Sequence, residues 1–356
     1  MVKSLDHDFW RGKRVFLTGH TGFKGGWATL LLEQLGAEVC GFSLAPQNDL
    51  NVYSLCNTQA SLAGETFADI RDVDAVIGAV AEANPDIVLH MAAQSLVKPS
   101  YENPVTTYAT NVMGTVHLLE ALRLRGTPCV VVNVTSDKCY ENREWVWPYR
   151  ESDALGGHDP YSNSKGCAEL VTSAYRSSFL TSLGIKTATA RAGNVIGGGD
   201  WSANRLIPDL VRSMELKEQV VVRSPAALRP WQHVLEPVTG YLMLIEALAK
   251  EDGHQFSESF NFGPSNTSVK PVQYVAERFL SLSGPNTRPE IRPEGFHEAE
   301  ILKLDSTKAQ SLLGWNPLWG IDDALEKTAA WYLAHAAAED MRSVTLSQIS
   351  DYFAVS

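Results

Sequence analysis

Cysteine is scarce in this sequence: Cys40, Cys56, Cys129, Cys139 and Cys167 are the five in 356 residues, odd in number, widely spaced and without a CxxC pair. That pattern argues against a disulfide framework and against a zinc site, so reduced thiols and no metal are expected. Positive charge is also in deficit, with 30 Lys and Arg against 41 Asp and Glu and a formal net charge of −11. Such a surface does not neutralise a phosphate backbone, which sets nucleic acid aside as a partner. A small anionic ligand stays possible, because local charge opposes net charge at many sites. No apolar run reaches the roughly 18 residues of a membrane span, and the opening stretch MVKSLDHDFWRGKRVFLTG holds no signal-type apolar segment. A cytoplasmic protein with no membrane partner is the expectation. Internal repeats, low-complexity tracts and long charge runs are missing as well.

What is present is core-forming: 44% of the residues are hydrophobic and 9% aromatic, enough for one large domain or two moderate ones. From Lys13 to about Phe262, short β-branched runs alternate with longer amphipathic stretches, the signature of βαβ units. RVFLTG, AEVCGFSL, DIVLHMAA, CVVVNVTS and KTATARAG read as strands; Trp27 to Leu35, Val73 to Ala83, Val112 to Leu124 and Asn163 to Phe179 read as helices. Several strands are almost wholly apolar, as in a sheet covered by helices on both faces. The fold class expected is α/β, a doubly wound parallel Rossmann sheet with a smaller, discontinuous α/β substrate-binding domain. Beyond Asn194 the alternation weakens and Gly, Pro, Trp and Arg gather in GGGDWSANRLIPD, RSPAALRPWQ and RPEGFHEAE, a loop-rich, substrate-facing composition. Residues 1–193 with about 231–262 are assigned to the dinucleotide domain, and 194–230 with 263–356 to the second. The residues from about Ala336 read as a polar extension without a legible role.

Strand RVFLTG runs into TGHTGFKGG, where Gly19, Gly22 and Gly25 recur every third residue before the helix WATLLLEQLG. Glycines there permit a tight turn and let backbone approach a pyrophosphate that rests on the helix dipole. An ordinary glycine-rich turn is the competing reading; the place of the triplet, at the first βα turn of a βαβ chain, favours the dinucleotide. The end of the second strand carries Ser43 where an acid would hold the ribose 2′-hydroxyl, and no arginine replaces it, so NAD and NADP are not separated by this position. Asp69, in FADIRD, either contacts the adenosine or caps the following helix.

Tyr161 and Lys165 in PYSNSKGCAEL are four residues apart, on one helical face. A lysine ammonium so placed favours the ionised phenol and makes a base of a group whose ordinary pKa is about 10. The strand VNVTSDKCY ends in Ser136, Asp137 and Lys138, at the carboxyl edge where open α/β sheets bind ligands.

In their order and spacing, TGHTGFKG, HMAAQ, TSDK and YSNSK resemble the extended short-chain dehydrogenases/reductases, and RAGNVIGGGDWSANRLIPD and RPWQHV resemble substrate-domain segments of nucleotide-sugar enzymes. The resemblance implies bound NAD and a Ser136, Tyr161, Lys165 catalytic set. It also implies a cofactor seat along Gly19, His20, Gly22, Phe23, Lys24, Gly25, Asp69, Ile70, Met91, Ala92, Ala93, Gln94 and Asn111, with Tyr161 and Lys165. The acid after Ser136 is a mark of sugar 4,6-dehydratases. Lysine after it, in place of their usual glutamate, is similar to the CDP-glucose 4,6-dehydratases, as are DKCYENREWVWPYRESD and GNVIGGGDW. That branch implies an NAD-dependent hydro-lyase acting on CDP-glucose in deoxysugar (O-antigen or lipopolysaccharide) biosynthesis, with Asp137 as acid and Lys138 as the group taking the C5 proton.

Asn194, Arg205 and Arg229 are the substrate-side candidates, since guanidinium groups pair with a diphosphate. His90, His233, Trp201 and Trp231 read as structural. The apolar helices Val112 to Leu124 and Asn163 to Phe179 resemble the family's dimer-forming pair, which implies a homodimer or homotetramer. Two other functions fit the same sequence features: a 4-epimerase or 4-reductase, which would need Tyr161 and Lys165 but not Asp137 and Lys138, and a dinucleotide-binding regulator without activity.

Overall fold

Alternate residues of the apolar runs go to opposite faces of one sheet. The computed structural model describes residues 5–219, 221–222, 224–284, 290–291 and 301–355; RPEGFHEAE lies outside the described residues. Strands β1 (Arg14–Thr18), β2 (Glu38–Ser43), β3 (Leu62–Phe67), β4 (Ile87–His90), β5 (Val130–Val134), β6 (Lys186–Ala192) and β7 (Ser259–Phe262) are ordered β7-β6-β5-β4-β1-β2-β3. Every neighbouring pair is parallel. This is the expected α/β class and doubly wound sheet, and the order reverses between β1 and β4, where such sheets open a ligand crevice.

The longer helices are α1 (Phe23–Gln34), α2 (Val73–Ala83), α3 (Gly114–Arg125), α4 (Pro160–Tyr175), α5 (Leu206–Leu216), α6 (Leu235–Ala249), α7 (Val272–Ser283), α8 (Ile321–Ala336) and α9 (Met341–Ala354). Val15, Leu17, Ile87, Leu89, Val130 and Val132 share one apolar cluster with Leu30 of α1 and Leu242 of α6. Phe16, Val88 and Val131, the residues between them, join Val76 of α2 and Leu118 of α3 in the other. Burying both faces is why these strands are apolar throughout.

Three expectations need correction. The helix read from Trp27 begins at Phe23 with Gly22 as its N-cap, so the last of the three glycines lies inside the helix. The cap of α2 is Asp72, whose carboxylate accepts from Asp74 N and Ala75 N, and not Asp69. The tail from Ala336 is no loose extension: α9 packs into the core, where the Tyr352 hydroxyl donates to Glu236 Oε2 at 2.7 Å and Trp331 Nε1 donates to Thr345 Oγ1 at 2.8 Å. Its buried residues include Thr345 and Gln348, and a buried face that is partly polar leaves only a faint apolar period in the sequence.

The region after Asn194 is more helical than its composition suggested, with α5, α7, α8 and α9 tied by two-strand pairs such as Leu228–Pro230 with Val269–Pro271. Trp27 Nε1 donates to Gly198 O at 2.9 Å, fastening the GNVIGGGDW segment over α1. Among the described residues no helix is long and apolar enough to cross a membrane.

Candidate active site

The crevice at the carboxyl edge of the sheet has a volume of about 1290 Å³, above the roughly 300–1,000 Å³ of a single small-molecule site and so roomy enough for two ligands side by side. One end is the turn after β1. Gly19 takes a left-handed φ of +78°, and a Cβ there would lie 2.9 Å from Ala92 N, so the turns after β1 and β4 meet only because the side chain is missing. A Cβ on Gly25 would lie 2.1 Å from Gly19 O. No side chain caps α1, which leaves its first amides and the positive end of its dipole to an anion. Gly22, Phe23, Lys24, Asp69, Ile70, Met91, Ala92, Ala93 and Gln94 line the same crevice.

His20 and Asn111, expected in the cofactor seat, are not wall residues. The His20 ring packs over Gly41, and its Nε2 lies 2.7 Å from Glu65 Oε1, fastening the turn to β2 and β3. Asn111, in a π-helical turn (Ala109–Met113), accepts from Gln94 N at 2.8 Å and donates to Gln94 O at 2.9 Å and to Ser164 Oγ at 2.8 Å. It holds a wall residue from behind. His90 is a core residue, as read from the sequence: its Nδ1 pairs with Thr18 Oγ1 at 2.7 Å, and burial lowers it to about 3. Asp69 is bound to Arg71 by two-atom contacts, and Arg71, unmarked in the sequence reading, reaches the crevice beside Ser43.

At the other end the two catalytic motifs meet. Ser136 follows β5 and opens a single 3-10 turn (Asp137–Cys139); its Oγ accepts from Lys138 N at 3.2 Å and donates to Asp137 Oδ1 at 3.0 Å. Asp159 caps α4 through Ser162 N, and Pro160 at its first position sets the turn from which Tyr161 and Lys165 point the same way. Ser136, Asp137, Lys138, Tyr161 and Lys165 all line the crevice. Lys165 Nζ donates to Val134 O at 3.3 Å, and burial lowers its ammonium to about 8. Burial raises the Tyr161 phenol to about 12, against the pull of a hydrogen bond to Ser136 and of Arg205. Lys165 was expected to favour the ionised Tyr161; burial shifts the phenol the other way.

Asp137 is the more telling group. It is 3% exposed, and its Oδ2 has no hydrogen-bond partner among the described residues. Burial raises its pKa, outweighing Lys138, the Ser136 hydrogen bond, Lys24 and Arg229. Burial of this kind favours the protonated form of a carboxyl.

On the substrate side, Asn194, Arg205 and Arg229 line the crevice. Arg205 is braced by Asp200 Oδ2 at 2.9 Å and Ser95 Oγ at 3.0 Å. Lys24, expected in the cofactor seat, brings a further amine into the crevice, lowered to about 8 by burial and by Arg205 and Lys165. Trp231 and His233 are buried, and Trp201 packs against Trp331 and Tyr332.

Comparisons with known proteins agree with this geometry. The family model described as GDP-mannose 4,6 dehydratase matches residues 16–328. A CDP-glucose 4,6-dehydratase of Salmonella typhimurium is 49% identical over 354 residues, 98% of each chain, and a dTDP-glucose 4,6-dehydratase of Xanthomonas campestris is 25% identical over 90% of this chain and 93% of its own. Two solved structures share the fold: a UDP-glucose 4-epimerase of Thermotoga maritima with UDP-glucose (TM-score 0.78, 23% identity, 91% of this chain and 99% of that one), and a dTDP-glucose 4,6-dehydratase of Bacillus anthracis in complex with NAD (TM-score 0.75, 20% identity, 92% and 99%). A match over most of the chain to one family model, and near-half identity from end to end with the Salmonella enzyme, mean that this chain belongs to the GDP-mannose 4,6 dehydratase family, the nucleotide-sugar 4,6-dehydratases of the extended short-chain dehydrogenase/reductase type.

Proposed function

We propose that this protein removes water from CDP-glucose to give CDP-4-keto-6-deoxyglucose, using a resident NAD that is regenerated in each turnover. The observation that carries the reading is the buried Asp137, its pKa raised by burial and its Oδ2 without a hydrogen-bond partner among the described residues, beside Ser136 in the crevice that also holds Tyr161. A 4-epimerase or 4-reductase has no step that needs a carboxylic acid there. Identity of 49% with the Salmonella CDP-glucose enzyme supports the cytidine nucleotide.

The crevice fits a dinucleotide: uncapped first-turn amides of α1 for the diphosphate, and a floor at Gly19 and Gly25 that a Cβ would fill. NAD there supplies a hydride acceptor that later gives the hydride back. Tyr161, with Ser136 on the same oxygen and Lys165 behind, takes the proton of the sugar 4-hydroxyl. The 4-ketone acidifies the C5 proton, which Lys138 accepts. Asp137 gives its proton to the departing 6-hydroxyl, so that water leaves and C5–C6 becomes a double bond. The hydride returns to C6 and Lys138 returns the proton to C5. Arg205 and Arg229 hold the nucleotide diphosphate, with Asn194 beside the sugar.

Residues 1–193 with about 231–262 form the dinucleotide domain in this proposal, the remainder receives the nucleotide sugar, and the enzyme works in the cytoplasm. It works as a homodimer or homotetramer through α3 and α4, which leave Leu124 and Leu170 exposed with Val105, Met113 and Phe179 on the segments next to them. Such uncovered apolar surface is what an interface hides. Light scattering at micromolar concentration is expected to give at least twice the 39.0 kDa chain mass, and the chain mass itself would rule the assembly out.

The activity test is incubation with CDP-glucose, dTDP-glucose or GDP-mannose and catalytic NAD, read by mass spectrometry. Loss of one water from CDP-glucose alone is expected. An unchanged mass with inversion at C4 would place the protein with the epimerases.

A further inference from the structure

Gly193 follows β6 in the segment RAGNV, buried, and its φ is not in the left-handed region, so backbone freedom does not explain it. Space does. A Cβ at this position would lie 2.3 Å from Asp137 Oδ2, 2.9 Å from Asp137 Cγ and 2.8 Å from Pro230 Cγ. The Asp137 carboxyl therefore rests directly on the Gly193 backbone, clamped on its other oxygen by the Ser136 hydroxyl at 3.0 Å.

The surroundings of that carboxyl come from several elements. Lys138 shares its turn, Lys24 faces it from α1 and Arg229 from the Leu228–Pro230 strand; Tyr161 on α4 and Tyr241 on α6 are close enough to feel its charge. Three cations favour the carboxylate, yet burial outweighs them. That balance depends on how deep the carboxyl sits, and the depth is set by what stands at position 193.

We propose that Gly193 is a positioning residue of the dehydration step: its missing side chain is the seat that keeps the Asp137 carboxyl buried and turned toward the sugar. The proposal rests on the reading of Asp137 as the acid. Any L side chain at 193 has to push the carboxyl toward the open crevice, where water and the neighbouring cations favour its charged form. Oxidation at C4, which uses Tyr161, Ser136 and Lys165, does not need the seat.

The test follows both steps in the NAD-loaded enzyme with CDP-glucose. In Gly193→Ala, reduced nicotinamide is expected to form nearly as fast as in the parent, while water loss slows by about a hundredfold, the scale of an ångström's misplacement. The pH above which water loss declines is expected to move down, because a displaced, solvated acid ionises earlier. A second arm places Gly193→Ala in an Asp137→Ala background, where the carboxyl it would strike is gone and Pro230 Cγ at 2.8 Å remains. The double variant is then expected to match Asp137→Ala in residual rate, and to lose less melting temperature than Gly193→Ala takes from the parent. Unimpaired water loss in Gly193→Ala, or an equal loss of stability in both backgrounds, overturns the seat while leaving Asp137 as the acid. Full dehydration by Asp137→Ala alone overturns the acid assignment and the seat with it.

Discussion

Asp137→Asn is expected to slow water loss by about 10²–10⁴-fold, the usual contribution of a general acid, while C4 oxidation continues. The amide is nearly isosteric and still accepts the Ser136 hydroxyl, so the variant removes the proton and little else. Reduced nicotinamide should accumulate after CDP-glucose is added, because hydride leaves C4 but finds no unsaturated C6 to return to. The pH dependence has a definite sign. The neutral acid is the active form, and burial raises its pKa above the ordinary carboxylate range. Water loss in the parent therefore falls as pH rises through that raised value, and this fall is expected to vanish in the variant. Stability should move the other way. A folded-state pKa above the unfolded one means a contribution that is full below the unfolded value, about 3.9, and is lost as pH rises through the folded value. At neutral pH the buried carboxyl opposes folding, and Asp137→Asn is expected to be at least as resistant to urea as the parent. Stopped-flow absorbance and urea unfolding at pH 7 check both halves. A variant that still dehydrates at the parent rate would sink the acid assignment.

The sheet was legible because the central strands had to be apolar on two faces: Phe16 faces one helix layer and Val15 and Leu17 the other. The meeting of Ser136 to Lys138 with Tyr161 and Lys165 in one crevice was legible because the residues sit close together in sequence, the first three on one turn and the other two on one helix. What escaped depends on contacts between distant segments. Asn111 braces Gln94 from a π-helical turn that no periodicity marks. Asp69 was a candidate cap for the following helix, and the chain's path gives that cap to Asp72. Gly193 carries no local signal at all, since its reason is a carboxyl 56 positions earlier brought against it by the β5–β6 pairing.

Arg191→Met is expected to lower stability by about 3–5 kcal/mol, the cost of stranding a buried charge. Arg191 on β6 and Glu169 on α4 are each 2% exposed at the side chain and joined by two parallel hydrogen bonds, Nε to Oε1 at 2.9 Å and Nη2 to Oε2 at 2.8 Å. Three hydroxyls also donate to Glu169: Thr135, Thr189 at 2.7 Å and Ser259 at 3.1 Å. Burial alone would raise Glu169; Arg191 and these hydroxyls outweigh it and hold the carboxylate below its ordinary range. Methionine fills much of the arginine volume but leaves the anion unpaired, with Tyr140 losing its own guanidinium contact at 2.8 Å. The effect should reach the reaction, because Thr135 precedes Ser136 and Glu169 lies one turn beyond Lys165 on α4. Ser136 and Lys165 both hang on this pair from behind, so under the proposed mechanism turnover is expected to fall together with stability. Replacing both partners, as in Arg191→Met with Glu169→Leu, removes the stranded charge, and recovers stability relative to Arg191→Met even though the hydroxyls lose their acceptor. Chemical unfolding of the two single variants and the double gives the coupling between them. A coupling below about 1 kcal/mol, the range of an exposed pair, would mean that the catalytic turn and α4 are held by apolar packing instead.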